Sequence, residues 1–466
     1  MKVTKDLTEG NIYKNFLRYT LPLIASALLS SAYGTIDAMI AGKFISEYAL
    51  GAINATGSFE MVFYSFLLGF GGGFSVYVAL LFGKKDYAVL KRDVVQMLMF
   101  LSAVILLISA VSILLCEPIM DYLCVDPILR ADAKLYFIIY MSGCVLVYMN
   151  LILVQVLNAL GITSFSLYVS AMSAIMNIGG NLLTVLVFDW GVAGIAASTL
   201  VSTAGATLIY LYMLRRAFRE LPSERVFYRF SPACVLRSLR YTFPAAVQQL
   251  AYHGIGLLIA PTINGLGADA TTGNTVANRI FNICAQSYWC TSRALGCYTA
   301  QCVGAGKLDR IRRGLWANFL MCCAFLVPFV LVFLLLGAPL TSLFFPESYT
   351  GTAFQYAMRF VTFYLPFAFI NLVGHLIHTY LRGLGVMTVV LWLSVLNSVV
   401  QWIATLGLVP VIGMEGVYLA RLLAWIADTL GSVVIWLLCY RTVDHIRRAV
   451  CKVRLKKQEK AKTGQS

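Results

Sequence analysis

Charge is scarce in this chain of 466 residues: 12% are charged, where a soluble domain carries about a quarter, and 60% are hydrophobic. That deficit excludes a soluble enzyme, a disordered chain and a collagen-like fibre. Apolar runs that alternate with a period of two are missing too, which excludes the strands of a membrane barrel. The run Gly69-Phe70-Gly71-Gly72-Gly73 lacks the flanking strand and the Lys-Ser/Thr of a phosphate loop, so no nucleotide is expected. Paired acids, a metal cluster or a nucleophile beside a base, any of which an intramembrane enzyme would need, are absent from the pattern. So is the repeated filter or charged ring of a pore. The opening MKVTKDLTEGNIYKN has none of the basic, apolar and small-residue sequence of a secretory signal, and the first span is expected to be retained.

What is present is a series of long apolar runs, near 16–42, 51–82, 94–115, 135–157, 165–188, 192–214, 241–263, 274–304, 314–336, 353–381, 388–410 and 415–438. Runs of this length in lipid satisfy their backbone only as helices. The fold class is therefore an all-α integral membrane protein with twelve transmembrane helices in two pseudo-symmetric six-helix lobes. The expected organisation is an amino-terminal segment (1–15), a first lobe (16–214), a basic linker (215–240), a second lobe (241–438) and a basic tail (439–466). Lysine and arginine cluster at the amino terminus, at Lys84, Lys85, Lys91 and Arg92, through the linker, at Lys307 to Arg313 and in the tail. By the positive-inside rule these are cytoplasmic, as are both termini. The net charge of +15 is then topological, a matter of anionic lipid and not of nucleic acid. The 12 cysteines fall mostly within apolar runs and read as small buried hydrophobes, with Cys116 and Cys124 able to pair only if their loop faces an oxidising side.

The two halves repeat. Leu17-Arg18-Tyr19-Thr20-Leu21-Pro22 matches Leu239-Arg240-Tyr241-Thr242-Phe243-Pro244 in five of six positions at an offset of 222. Gly83-Lys84-Lys85-Asp86 pairs with Gly306-Lys307-Leu308-Asp309, LNALG (157–161) with LRGLG (381–385), and Gly191/Gly194 with Gly413/Gly416. Copies with an even number of helices share one orientation, an arrangement that places a site between two lobes.

These motifs, in this order and in both halves over about 430 residues, resemble the multidrug and toxic compound extrusion (MATE) family. The branch with an acidic residue in helix 1, the DinF-like branch, looks closest, because the second half lacks the acids in helices 7 and 10 that other branches use. The resemblance implies a twelve-helix antiporter with two six-helix lobes that expels organic compounds from the cytoplasm in exchange for protons or sodium ions. Amphipathic substrates, a monomer in the cytoplasmic membrane and no cofactor are expected. A lipid-linked saccharide flippase of the same wider fold group is the alternative.

Asp37 stands in AYGTIDAMIAG, where an unpaired charge costs several kcal/mol, and an intramembrane acid is a functional candidate by default. It is read as the coupling residue, the other reading being a static brace of helix 1. The resemblance adds Asn177, Asn181 and Thr199 to its site. Asn181 stands where related chains commonly carry a second aspartate, which favours a single-proton switch over tight sodium binding. Amides that glue helices together are the plainer reading. Glu60 either faces a substrate cavity, with Tyr64 one turn on, or meets water at an interface. Arg279 and Arg293 are fourteen residues apart, within about 40° of one helical face, and line a cavity or snorkel. Gln248, His253, His375 and His378 complete the candidate cavity of the second lobe. The histidines have no third ligand at a spacing that would suggest zinc. Arg421 and Asp428, seven apart, read as one structural polar seam.

Overall fold

A computed structural model describes residues 4–45, 51–53, 55–123, 125–223, 230–345 and 351–462, the side chains of 31–35, 37, 38, 42, 43, 58 and 439–462 excepted. Among the described residues twelve long helical units follow one another. The first six are α1 (Ile12–Ile40), α2 (Gly57–Lys84), α3 (Tyr87–Leu114), α4 in two pieces (Pro127–Ser142 and Cys144–Ala159), α5 (Thr163–Leu182) and α6 (Gly191–Glu220). The second six are α7 (Pro232–Asn264), α8 (Ala268–Gly304), α9 (Leu308–Leu335), α10 (Thr352–Gly383), α11 (Met387–Ile412) and α12 (Met414–Lys462). Short helices Cys116–Tyr122 and Gly337–Ser342 occupy equivalent loops after α3 and α9.

Local chemistry explains the boundaries. Asp86 caps α3 by accepting from Val89 N, and Asp126 caps α4 by accepting from Ile128 N just before Pro127 in the first turn. The two pieces of α4 meet at 52°, next to Gly143, where a Cβ would strike the Leu200 side chain at 2.4 Å. Pro22, Pro244, Pro328 and Pro410 lie inside α1, α7, α9 and α11 and free a carbonyl in each. In the loop after α3, Glu117 accepts from Lys134 and Arg130. Those bonds hold its carboxyl below the usual carboxylate range.

The helices pack as two lobes with the same plan. In the first, α1 lies on α5, α5 on α6, α2 on α4 and α4 on α6; in the second, α7 lies on α11, α11 on α12, α8 on α10 and α10 on α12. The lobes meet through α2 on α7, α2 on α8 and α1 on α8. Turn conformations repeat as well: Gly161 and Gly385 are both left-handed (φ 80° and 86°), as are Gly191 and Gly413. One pairing differs from the sequence expectation. Lys85 and Gly306 are the left-handed residues after α2 and α8, so Gly83 corresponds to Gly304 and not to Gly306, because the αL position after the helix fixes the register of the turn.

Eight helices (α2, α3, α5, α6, α9, α10, α11, α12) are each long and apolar enough to cross a membrane, and bent α4 makes a ninth among the described residues. The helices α7 and α8 are diluted by polar side chains, and both face the opposite lobe. The connection between lobes is shorter than the expected 215–240, since α6 runs to Glu220 and α7 starts at Pro232. It is tied to α3, where Lys91 Nζ donates to Leu221 O (2.8 Å) and Gln96 Oε1 accepts from Ser231 N (3.1 Å). Of the described cysteines all are free and all but Cys323 are buried. Cys124, half of the pair considered above, lies outside the described residues.

Candidate functional site

In the first lobe a polar seam runs between α5 and α6. Asn177 and Asn181 are one turn apart on the same face of α5 and are buried, at 2% and 0% exposure. Asn181 Nδ2 donates to Asn177 Oδ1 (3.2 Å), Asn177 Nδ2 donates to Thr199 Oγ1 (3.1 Å), and Ser198 Oγ donates to Asn181 Oδ1. Thr199 Oγ1 in turn donates to Ile195 O (2.9 Å). The chain of bonds leaves the asparagine amides and carbonyls satisfied, as buried amides require. Beside it lies a cavity of about 80 Å³ lined by Ser30, Asn150, Ser170, Ser173, Asn177, Ser202 and Tyr210, polar and with room for a few waters at about 10–15 Å³ each. Asp37 belongs to α1, which packs on α5, two turns beyond Ser30. Its side chain lies outside the described residues.

Between the lobes, α8 is enclosed by α1, α2, α9 and α10 yet keeps one open face. Thr272, Thr275, Arg279, Asn282 and Arg293 are exposed on it, with Gln286 half-buried. The spacings 3, 4, 3, 4 and 7 describe one helical stripe. Presenting two arginines and a row of hydroxyls and amides to hydrocarbon would be costly for a spanning helix. Thr271, Thr272, Thr275, Val276 and Arg279 of α8, with Phe344 after α9, border a space of about 320 Å³ within the second lobe. In α2 of the first lobe, Tyr64 is 41% exposed, and half-buried Glu60 accepts from Thr56 Oγ1 at 2.9 Å.

Inside the second lobe, Tyr288 OH donates to Asn371 Oδ1 (2.6 Å), and the His375 ring lies 6.1 Å from Tyr288 and 6.2 Å from Trp289. His378 Nε2 stands 3.0 Å from Asp428 Oδ1. Arg421 does not share that contact. Its Nη2 reaches Asn274 Oδ1 of α8 at 3.5 Å and its guanidinium lies over Phe360. The single seam expected of Arg421 and Asp428 is therefore two separate contacts, because each side chain meets a different neighbouring helix. His253 packs its ring against Tyr252. Gln248 is 4% exposed and donates to Ser394 Oγ of α11 (2.8 Å), which puts it inside the lobe and away from the cleft. Among the described residues no three of His, Cys, Asp and Glu converge as a metal site would require.

The end of the molecule where the chain begins is sealed. Gly69 and Gly73 of α2 abut α7, where added Cβ atoms would sit 2.3 Å from Ala245 O and 2.5 Å from Tyr241 O. Lower down, Gly83 meets Gln301 O and Gly304 meets Leu80 O, each at 2.2 Å from such a Cβ. The amino-terminal segment closes the joint. Gln301, fully buried in α8, accepts from Leu7 N (2.9 Å) and donates to Ala159 O of the first lobe (3.0 Å). Lys5 N donates to Leu160 O, Lys307 Nζ to Thr8 Oγ1 and Arg310 Nη2 to Gly10 O. Sequence reasoning missed Gln301, Leu7 and the Asp428–His378 contact, since each partner lies dozens or hundreds of residues away and no local pattern marks it.

Two stretches of the chain, residues 22–183 and 244–405, match the MatE family. The second starts 222 residues after the first, the offset of the Leu-Arg-Tyr-Thr repeat. The probable multidrug resistance protein YpnP of Bacillus subtilis is 24% identical over 399 residues, covering 85% of this chain and 88% of YpnP. The multidrug export protein MepA of Staphylococcus saprophyticus is 21% identical over 278 residues, 58% of this chain and 60% of MepA. A crystal structure of a variant of the Vibrio cholerae MATE transporter VcmN superposes with a TM-score of 0.84 at 16% identity, over 92% of this chain and 97% of that one. At that identity the likeness speaks for the fold alone.

Proposed function

The chain belongs to the MatE family, and on that premise we propose that it exports amphipathic organic compounds across the cytoplasmic membrane by ion-coupled antiport. The observation that carries this reading is the cleft: two lobes built on one plan, sealed against each other at the end holding the basic segments, with the polar face of α8 open between them. Such an arrangement is one state of an alternating-access cycle, in which the seal and the open mouth exchange ends. Relatives named for multidrug resistance and multidrug export support the substrate class.

Coupling is assigned to Asp37 with Asn177, Asn181 and Thr199. Burial raises the cost of a charged carboxylate and a cation lowers it, so one acid beside the amide seam holds a proton or a sodium ion in one state and gives it up in the other. With an amide at position 181 the seam supplies oxygens but no second negative charge, which favours protons. Both termini are placed in the cytoplasm on the distribution of Lys and Arg, and the protein is proposed to act as a monomer among lipids, without a cofactor or nucleic acid. Glu60 and Tyr64 on one wall and Arg279 and Arg293 on the other give the cleft two signs of charge. Purified protein in liposomes loaded with a fluorescent cation, with proton and sodium gradients imposed separately, tests the reading. Efflux driven by the proton gradient is expected, and a response to neither gradient removes the antiporter assignment.

A further inference from the structure

We propose that residues 5–10 are a latch that holds the sealed end shut and lets go of the second lobe each time that end opens, while residues 221–231 stay docked on the first lobe as a fixed anchor. The proposal rests on the alternating-access part of the reading above and is independent of the coupling ion and of the substrate.

Each lobe is entered through a segment that lies on the third helix of the other. Residues 5–10 lead into α1 of the first lobe and are held by the end of α8 and the start of α9. There Gln301 Oε1 accepts from Leu7 N (2.9 Å), Lys307 Nζ donates to Thr8 Oγ1 (3.0 Å) and Arg310 Nη2 donates to Gly10 O (2.7 Å). Residues 221–231 lead into α7 of the second lobe and are held by α3. There Lys91 Nζ donates to Leu221 O (2.8 Å) and Ser223 Oγ (2.7 Å), and Gln96 Oε1 accepts from Ser231 N (3.1 Å).

The two segments differ in what they join. Residues 221–231 continue from α6, and α3 belongs to the same lobe as α6, so the first lobe keeps them when the lobes part. Residues 5–10 bond to both lobes at once, because Lys5 N also donates to Leu160 O (3.0 Å) in the turn after α4. That turn is shaped for them: Gly161 is left-handed, and a Cβ there would lie 2.6 Å from Lys5 O. At its counterpart Gly385, a Cβ would instead meet the Tyr241 ring, at 3.4 Å. The equivalent turn of the second lobe therefore seats α7 itself and not the segment before it.

The latch is built to leave as a unit. Asp6 Oδ1 accepts from Thr8 N (2.8 Å), and Asn15 Nδ2 of α1 donates to Glu9 O (2.6 Å); both bonds travel with the first lobe. What must be undone is the burial of Leu7 and Thr8, which are 4% and 1% exposed, and the three bonds from Gln301, Lys307 and Arg310. The Lys307–Glu9 contact at 3.4 Å lies between side chains that are 37% and 71% exposed and adds little. The strength of the latch thus lies in one buried leucine and in donors aimed at the hydroxyl and backbone of the segment.

The test measures opening of the sealed end by spin labels on Tyr122→Cys and Leu343→Cys, both exposed at the far end of the two lobes, in full-length protein in lipid. A shorter label distance reports the opened state. Lys307→Met/Arg310→Met keeps the apolar stems and removes the charged donors, and should raise the short-distance population about tenfold. Leu7→Ser, which removes the buried side chain and touches neither charge, should act in the same direction. Lys91→Met removes two bonds from the anchor and should leave the distribution as in the native protein. Hydrogen exchange read by mass spectrometry gives a second measure: the peptide 4–11 should exchange faster in step with the short-distance population, and the peptide 230–236 should not. Equal shifts from the Lys91 and Lys307/Arg310 variants, or no shift from the latch variants, overturn the proposal. Loss of ion-driven efflux in the native protein with these shifts intact would instead remove the antiport assignment and leave the latch standing.

Discussion

Replacing Gln301 by alanine should tip the protein out of the sealed state. Its side chain is fully buried and makes two bonds to the first lobe, accepting from Leu7 N and donating to Ala159 O at 2.9 and 3.0 Å. In the opposite state those backbone groups meet water, so the substitution penalises the sealed state alone. At about 1 kcal/mol net per hydrogen bond the loss is about 2 kcal/mol, roughly a 30-fold shift in the ratio of the two states. Spin labels on Tyr122→Cys and Leu343→Cys, both largely exposed in the loops at the far end of the two lobes, read that shift by electron-electron distance measurement. The described native cysteines are free and, Cys323 apart, buried, so they should compete little; Cys124, Cys439 and Cys451 are replaced by serine. As the seal opens at one end the far loops should approach, and the short-distance population should grow. A distance distribution identical to that of the native protein would refute the idea that Gln301 holds the lobes together.

Three further outcomes are expected. Asp37→Asn should insert and fold but lose ion-driven efflux, while Asn181→Asp, which restores a second acid, should increase sodium dependence; liposome assays with separate gradients check both, and normal proton-driven transport by Asp37→Asn would contradict the coupling assignment. Removing both cleft cations in Arg279→Gln/Arg293→Gln should improve competition by a cationic dye over an anionic one, and an unchanged preference would take the arginines out of the substrate path. Because Lys134 and Arg130 hold the Glu117 carboxyl down in the folded state, the contact contributes stability above the ordinary carboxylate pKa and loses it as pH falls through the lowered value. The difference in Tm between native protein and Glu117→Gln should accordingly be present at neutral pH and vanish in strong acid; a gap independent of pH would mean that the charge is immaterial.

The polar composition of α8 shows how far exposure alone misleads in a membrane protein. Many exposed residues, such as Leu107, Leu335 and Trp392, are apolar and meet lipid. Arg279 and Arg293 are exposed too, but on a helix that α1, α2, α9 and α10 enclose. The physical distinction is what the neighbouring side chains on the stripe are, and in α8 they are Thr, Asn and Gln.

Helix number, lobe count and duplication were legible in the sequence, because a span of about 20 apolar residues is a local property set by bilayer thickness and a repeat needs only one string to be seen. The four-residue spacing of Asn177 and Asn181 was legible for the same reason: helical periodicity places both on one face before any packing is known. Which face of a helix meets what was not. Nothing local distinguishes Gln248, turned into its own lobe toward Ser394, from Gln301, which joins the two lobes. Nor does sequence separate Asp428 and Arg421, seven residues apart yet set against different helices. Those assignments depend on helix rotation and crossing, which are fixed by contacts such as Gly73 on α7 and Gly304 on α2. Close approach of two backbones is a relation between segments more than a hundred residues apart, and only the tertiary structure decides it.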